Sequence, residues 1–394
     1  MKHYKSFAAR LLGCAVLLLS AACAQPLTFS SKSPAVWLEP HLEGLALLRE
    51  DGRVVYWNGD ATEVLANGVA GDSVVSCGAA LYGVETDGDL LNITTGTRGV
   101  KVAQHSRPVC LPDSSLVVLS DTANELLRVN DKLEVQARAS VNALPDAELV
   151  TTDLKGNGRP DVVVLTKPST RYPHGVLGDE LEAEGVAVFD AGTLKFIAST
   201  SFAVAFVYEQ RRVLPVTYRD DTGASKQGIL TTRSSSDSGA AVELLALEGG
   251  KLERVAAADA IGTGFRWLNL FAARDGVAYA VRTPHIGGPL QRYQVAEGLT
   301  TESFQLGVTN HIYGSRNLDL GVLLDTEGAD TLAITLNSHD GVRLIHCAES
   351  CEASETFMAD ARINSNVTQF SRDAETYVAF ADTAGKVYLI PVSD

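Results

Sequence analysis

The chain is poor in the parts from which many active sites are built. Only 2 Met and 3 Trp occur in 394 residues, and aromatic side chains make up 7%. There is no G-x-x-x-x-G-K-[ST] loop to cradle a nucleotide phosphate and no G-x-S-x-G elbow to present a nucleophilic serine. No C-x-x-C pair occurs, which argues against zinc. Positive charge is also scarce: 33 Lys and Arg stand against 48 Asp and Glu. Phosphate binding needs a basic face, so nucleic acid is excluded as a partner. The serines from Ser234 to Ser238 read as a polar loop, and the aspartates are too scattered to single out a glycosidase pair. Strongly periodic helical stretches are scarce as well.

What is present is Gly, at 34 residues, and a steady supply of short apolar runs within a 45% hydrophobic chain. Eight such runs recur: 44–48, 80–84, 116–119, 161–166, 228–232, 276–281, 331–336 and 376–381. Each is followed by a polar turn and a second run, as in Val54-Val55-Tyr56-Trp57 after Asp51-Gly52-Arg53. Strand, turn, strand repeated at this spacing predicts an all-β chain of four-stranded antiparallel blades, a β-propeller, with eight blades favoured over seven. The final unit, at Leu389 to Val392, is one strand short, and Leu27-Thr28-Phe29 is placed to complete it. The expected division is a leader over 1–23, a tether over 24–36 that supplies this strand, and one propeller domain over 37–394.

The N-terminus reads as an export signal. Lys2, Lys5 and Arg10 precede the apolar run Leu11 to Leu19, which is too short to span a bilayer. Ser20-Ala21-Ala22-Cys23 resembles a bacterial lipoprotein lipobox, with Cys23 as the lipidated residue, although Ser20 stands where that pattern prefers Leu. The alternative is ordinary cleavage after Ala24, leaving Gln25 first. The resemblance implies an outer-membrane lipoprotein attached through its lipid alone; the alternative implies a soluble periplasmic or secreted protein. Loss of the leader leaves 30 basic against 48 acidic residues, a net charge of −18. Cys77, Cys110, Cys347 and Cys351 remain, an even number in an oxidising compartment, and two disulfides are expected. A tight hairpin suits Cys347 and Cys351, and neighbouring units suit Cys77 and Cys110.

The stretch Asp153-Leu-Lys-Gly-Asn-Gly-Arg-Pro-Asp161 has oxygen donors at alternating positions and glycines to turn the chain. It resembles the calcium loop of FG-GAP (VCBS) repeats, D-x-[DN]-x-[DN]-G-x-x-D followed by an apolar strand. The resemblance implies calcium held by Asp153, Asn157, the Arg159 carbonyl and Asp161. Lys155 departs from the pattern, removing a ligand and adding an ammonium that can stand in for the ion. Asp220-Asp221-Thr-Gly and Asp325-Thr-Glu-Gly echo the loop but read as plain turns. The turns Asp51-Gly52-Arg53 and Asp87-Gly88-Asp89 are similar to blade hairpins of quinoprotein-like propellers, but their Trp motif is absent, so no such cofactor is implied.

If Asp153–Asp161 joins the first and second strands of its blade, the longer loops gather on the other rim. These carry Arg171, Tyr172, His174, Arg282, His285 and His339, with His105 and His311 on the same face. They mark a candidate ligand face at the mouth of the central channel. The acidic run Asp179 to Glu184 reads as a solvated helical turn. With no catalytic motif, the expected role is a binding scaffold for a protein or glycan partner at the cell envelope. A carbohydrate-active lyase or hydrolase and an outer-membrane assembly scaffold are the alternatives.

Overall fold

Each of the eight apolar runs forms the second strand of an antiparallel unit, and the reason is burial on both faces. Leu116–Leu119 and Gly44–Arg49 are buried at every position. Such strands lie between neighbouring sheets, where Val, Leu and small residues pack without a polar face. The fourth strands lie outermost, and Val135–Ser140 alternates half-buried with exposed positions. The computed structural model describes residues 26–203, 205–295 and 298–392. The leader, the lipobox and Cys23 lie outside the described residues.

Six sheets have four strands each, and a nine-stranded sheet contains two more four-strand units joined through Val207–Tyr208. The sheets follow one another round a ring, which is the architecture of a β-propeller. Their apolar faces interlock between neighbours: Tyr279 and Val281 of the sixth unit pack with Leu332 and Ile345 of the seventh. The last sheet takes its outer strand from the opposite end of the chain. Leu27–Ser30 runs antiparallel to Lys386–Val392, pairing Leu27 with Leu389 and Ser30 with Lys386. Phe29 then stacks on Trp57 of the first unit, with ring centres 4.7 Å apart.

Both disulfides form. Cys77 ends the first strand of the second unit and bonds Cys110 in the first strand of the third. Cys347 bonds Cys351 across the hairpin between the last two strands of the seventh unit. Separations of 33 and 4 residues give the two bonds different weights in the unfolded chain. Loop-closure entropy gives about 4 kcal/mol for the first and about 2 kcal/mol for the second. Urea unfolding of Cys77→Ala/Cys110→Ala and Cys347→Ala/Cys351→Ala variants is expected to show the larger loss in the first.

Candidate functional site

Loops after first and third strands emerge on one face of the ring, and loops after second and fourth strands on the other. The loop Asp153–Asp161 joins Val150–Thr152 to Asp161–Ser169, the first and second strands of the fourth unit. It therefore lies opposite the long histidine-bearing loops.

Inside that loop the acceptors are already taken. The two Asp153 carboxylate oxygens accept the N–H of Asn157 at 3.0 Å and of Gly158 at 2.6 Å. Asn157 Oδ1 accepts the N–H of Arg159 at 3.1 Å. Gly156 and Gly158 make the turn with φ of 63° and 77°. The ammonium of Lys155 sits 2.9 Å from Asp161 and 3.0 Å from Asp190. Its hydrogen bond is the main cause that pulls the Asp190 carboxyl down to about 2. As arranged, the donor set does not fit calcium, because a cation and backbone N–H groups occupy it.

On the other face, the loop 170–181 folds across the channel mouth. Val176 and Leu177 pack against Trp267 and Leu318, and Gly314 donates its N–H to Val176 O at 2.9 Å. Arg316 holds the far end through Asp179 at 3.1 Å. The run Asp179 to Glu184 is not a solvated helical turn: Glu182 starts the strand Glu182–Asp190 and is fully buried. Its register forces this, since Ala183 pairs with Tyr208 and Glu182 pairs with Ser169.

Beneath the loop lies a buried polar chain. Glu209 accepts from His174 Nδ1 at 2.5 Å, and Ser234 Oγ donates to its other oxygen. Trp267 Nε1 donates to the Glu209 carbonyl at 2.8 Å. Burial pushes the Glu209 carboxyl up, and burial followed by the nearby Glu209 pushes Glu182 well up. The order is serine, carboxylate, histidine. Nucleophilic catalysis needs the imidazole between the other two, so this chain does not activate Ser234.

The six predicted face residues do not line one pocket. Tyr172 is buried and accepts the Phe265 N–H at 2.7 Å. Arg171 is paired with Glu184 at 2.9 Å. Arg282 lines a groove between the fifth and sixth units. His285 Nε2 lies 2.8 Å from His311 Nδ1, while His311 Nε2 lies 2.9 Å from the Ser315 carbonyl. A carbonyl only accepts, so His311 carries its proton on Nε2 and receives one from His285. His174, His285 and His339 do not bring their ligand atoms together; among the described residues only Glu85, Asp87 and Asp89 form such a group. Two cations already serve that trio: Arg98 at 2.6 Å from Glu85, and Lys101 at 3.2 Å from Asp87 and 2.8 Å from Asp89.

What the face does present is exposed apolar surface. Phe265, Ile286 and Tyr313 are 44%, 71% and 63% exposed. Phe265 stacks on Tyr172 at 4.8 Å, and Tyr313 meets the edge of His285 at 5.2 Å. Arg266 and Arg362, both exposed on this face, have no carboxylate partner among the described residues.

The channel itself is filled by Arg211 and Arg212, which sequence reasoning passed over. Arg211 bonds the carbonyls of His105, Asp146 and Arg316, and its guanidinium lies 3.2 Å from the Asp146 carboxylate. Arg212 bonds Glu148 at 2.7 Å and grips Asp319 with two nitrogens. Burial pushes Asp319 up, but Arg212 and Arg107 outweigh it and hold the carboxyl below its ordinary value. A signal was there to read: Glu209-Gln210-Arg211-Arg212 is a polar run between Val207-Tyr208 and Val213-Leu214.

No family model matches the sequence, and no curated protein is significantly similar to it. Solved structures are similar in fold. BamB from Moraxella catarrhalis gives a TM-score of 0.54 at 11% identity, covering 93% of this chain and 100% of that one. The Dos1 propeller gives 0.56 at 11% identity, covering 92% and 94%. A quinohemoprotein alcohol dehydrogenase from Comamonas testosteroni gives 0.56 at 10% identity, covering 93% and 76%.

Two outcomes follow from these sites. Burial lowers His285 to about 4 and His311 to about 3. Below about pH 6.5 the unfolded chain takes up protons at these rings while the folded chain does not. Their contribution to stability is therefore full above about pH 6.5 and falls as pH drops toward about 4. Urea midpoints across that range should show the slope, flattened in His285→Gln/His311→Asn. Separately, Lys155→Met leaves the buried Asp161 without its cation and should cost about 3 kcal/mol. Adding Asp161→Asn should restore most of it. With identities this low the solved structures speak to fold alone, and the chain is a β-propeller of four-stranded antiparallel sheets.

Proposed function

We propose that this chain is an exported eight-bladed propeller of the FG-GAP type, lipid-anchored through Cys23 at the outer membrane, that acts as a binding scaffold for a protein partner. The blade count rests on reading the nine-stranded sheet as two blades bridged by Val207–Tyr208. The observation that carries the function is the exposed apolar set of Phe265, Ile286 and Tyr313 packed on the rings of Tyr172 and His285. Exposed large side chains on a rigid rim favour a binding surface. Arg266 beside Phe265, and Arg362 on the same face, suit a partner that carries carboxylates. An outer-membrane assembly scaffold is the same reading with a membrane protein as partner. Catalysis is disfavoured because the carboxyls whose pKa is raised, Asp146, Asp161, Glu182, Glu209 and Glu243, are all buried. The loop Asp153–Asp161 we read as braced by Lys155 in place of calcium.

The test is cross-linking of the mature protein in envelope membranes, against a Phe265→Ser/Tyr313→Ser variant of equal melting temperature. One defined envelope protein should be captured by the wild type and fall about tenfold in the variant. Undiminished capture, capture of glycan alone, or release of sugar ends from envelope glycans would overturn the reading. Mass spectrometry of the mature N-terminus should find a diacylglyceryl group on Cys23; a chain beginning at Gln25 removes the anchor. A chelator that lowers the wild-type melting midpoint would return calcium to the loop.

A further inference from the structure

The opposite face carries a cavity, in the channel below the two axial arginines. It holds about 480 Å³ and is walled by first strands from several units, with Trp37, Leu214, Phe271, Val322, Leu323 and Val367 supplying the apolar surface. That volume accommodates a large side chain with part of its backbone. Its inner end is the ionic network of Arg107, Arg212, Glu39 and Asp319. This network is internally matched: Arg107 lies 3.2 Å from Glu39, and Glu39 also receives Trp37 Nε1 at 3.1 Å. Arg274, the cation on the wall, is itself paired with Asp325 and Asp330. The cavity therefore offers largely apolar walls and a floor that neither attracts nor repels a net charge strongly.

The outer end is different. The wall strands run out into the loops that join first to second strands, and those loops are acidic. Glu43, Asp221, Asp275 and Glu327 are exposed on four of them, and none has a salt-bridge partner among the described residues. Leu42, beside Glu43, is 66% exposed. Arg159 is the exposed cation of the same loops without a carboxylate partner. A rim of unneutralised carboxylates around an apolar well is complementary to a chain segment with the reverse arrangement.

We infer that the axial cavity and its acidic rim receive a cationic segment of a second protein, with Lys or Arg on the rim and one apolar side chain in the well. This goes beyond the exposed apolar set described above, because it lies on the other face and takes a partner of opposite charge. The two surfaces together would let one propeller bridge two proteins.

The probe is a short synthetic peptide with Lys and Arg around a central Leu, and a control with Glu in place of each base. Binding to the mature protein is followed by calorimetry and by the fluorescence of Trp37. The basic peptide should bind, weaken as salt rises from about 50 to about 500 mM, and outcompete the acidic control. A Glu43→Gln/Asp221→Asn/Asp275→Asn/Glu327→Gln variant should lose about tenfold in affinity without loss of melting temperature. Val322→Trp, which fills the well, should lose binding with the rim intact; Leu323→Phe serves if that variant does not fold. Equal binding of both peptides, or binding indifferent to the rim variant, overturns the proposal. So does binding that survives a filled well, which would mean surface attraction only. The Phe265→Ser/Tyr313→Ser variant should bind the peptide unchanged, so failure on one face is distinguishable from failure on the other.

Discussion

Two guanidinium groups on the ring axis organise this molecule. A buried Arg is tolerable only where carboxylates and carbonyls meet it, and an incomplete set leaves an uncompensated charge that costs several kcal/mol. Arg211 and Arg212 draw those partners from connections before the third, fourth and seventh units, so units far apart in the chain are tied to one point. The arginines reach the axis because Val207–Tyr208 hangs on both neighbouring strands and directs the next residues inward. Arg212 also closes the inner end of the cavity on the opposite face.

The strands were legible because burial between sheets leaves a local trace. A run such as Val162-Val163-Val164-Leu165 needs no tertiary knowledge to be seen as buried on both faces. The loop Asp153–Asp161 gave the register that sorted the other loops onto two faces, and it did so whether or not it holds an ion. Glu182 was misread for a physical reason. Four acidic residues in six suggest solvent, and only pairing with Ser169 and the edge of Val207–Tyr208 shows that one of them is enclosed.

The histidines show the same boundary between local and distant information. His174, His285 and His339 share a face, which the alternation of strands and turns predicts. That His174 is spent on Glu209 and His285 on His311 depends on side chains 35 and 26 residues away. Arg211 and Arg212 stood in plain view as a polar interruption, but nothing in the local pattern tells an axial charge from a solvated one. Lys155 is the contrary case: a single residue that departs from a pattern, with the consequence readable before any coordinates. An ammonium among carboxylates has the charge of half a calcium ion and hydrogen bonds of its own.

The outer strand contributed by Leu27–Ser30 sets the order in which the ring can be completed. The Ser31 hydroxyl meets the Gly385 carbonyl across 354 residues of chain. Each doubling of a closed loop adds about 0.6 kcal/mol, so this contact costs about 3 kcal/mol more to form than a ten-residue hairpin. During synthesis this strand must wait, unpaired, until nearly the whole chain has followed it. For that interval the molecule is an open arc with two sheet edges free to pair with another copy. Until the ring closes, Leu27–Ser30 has to stay available to Lys386–Val392 without pairing elsewhere.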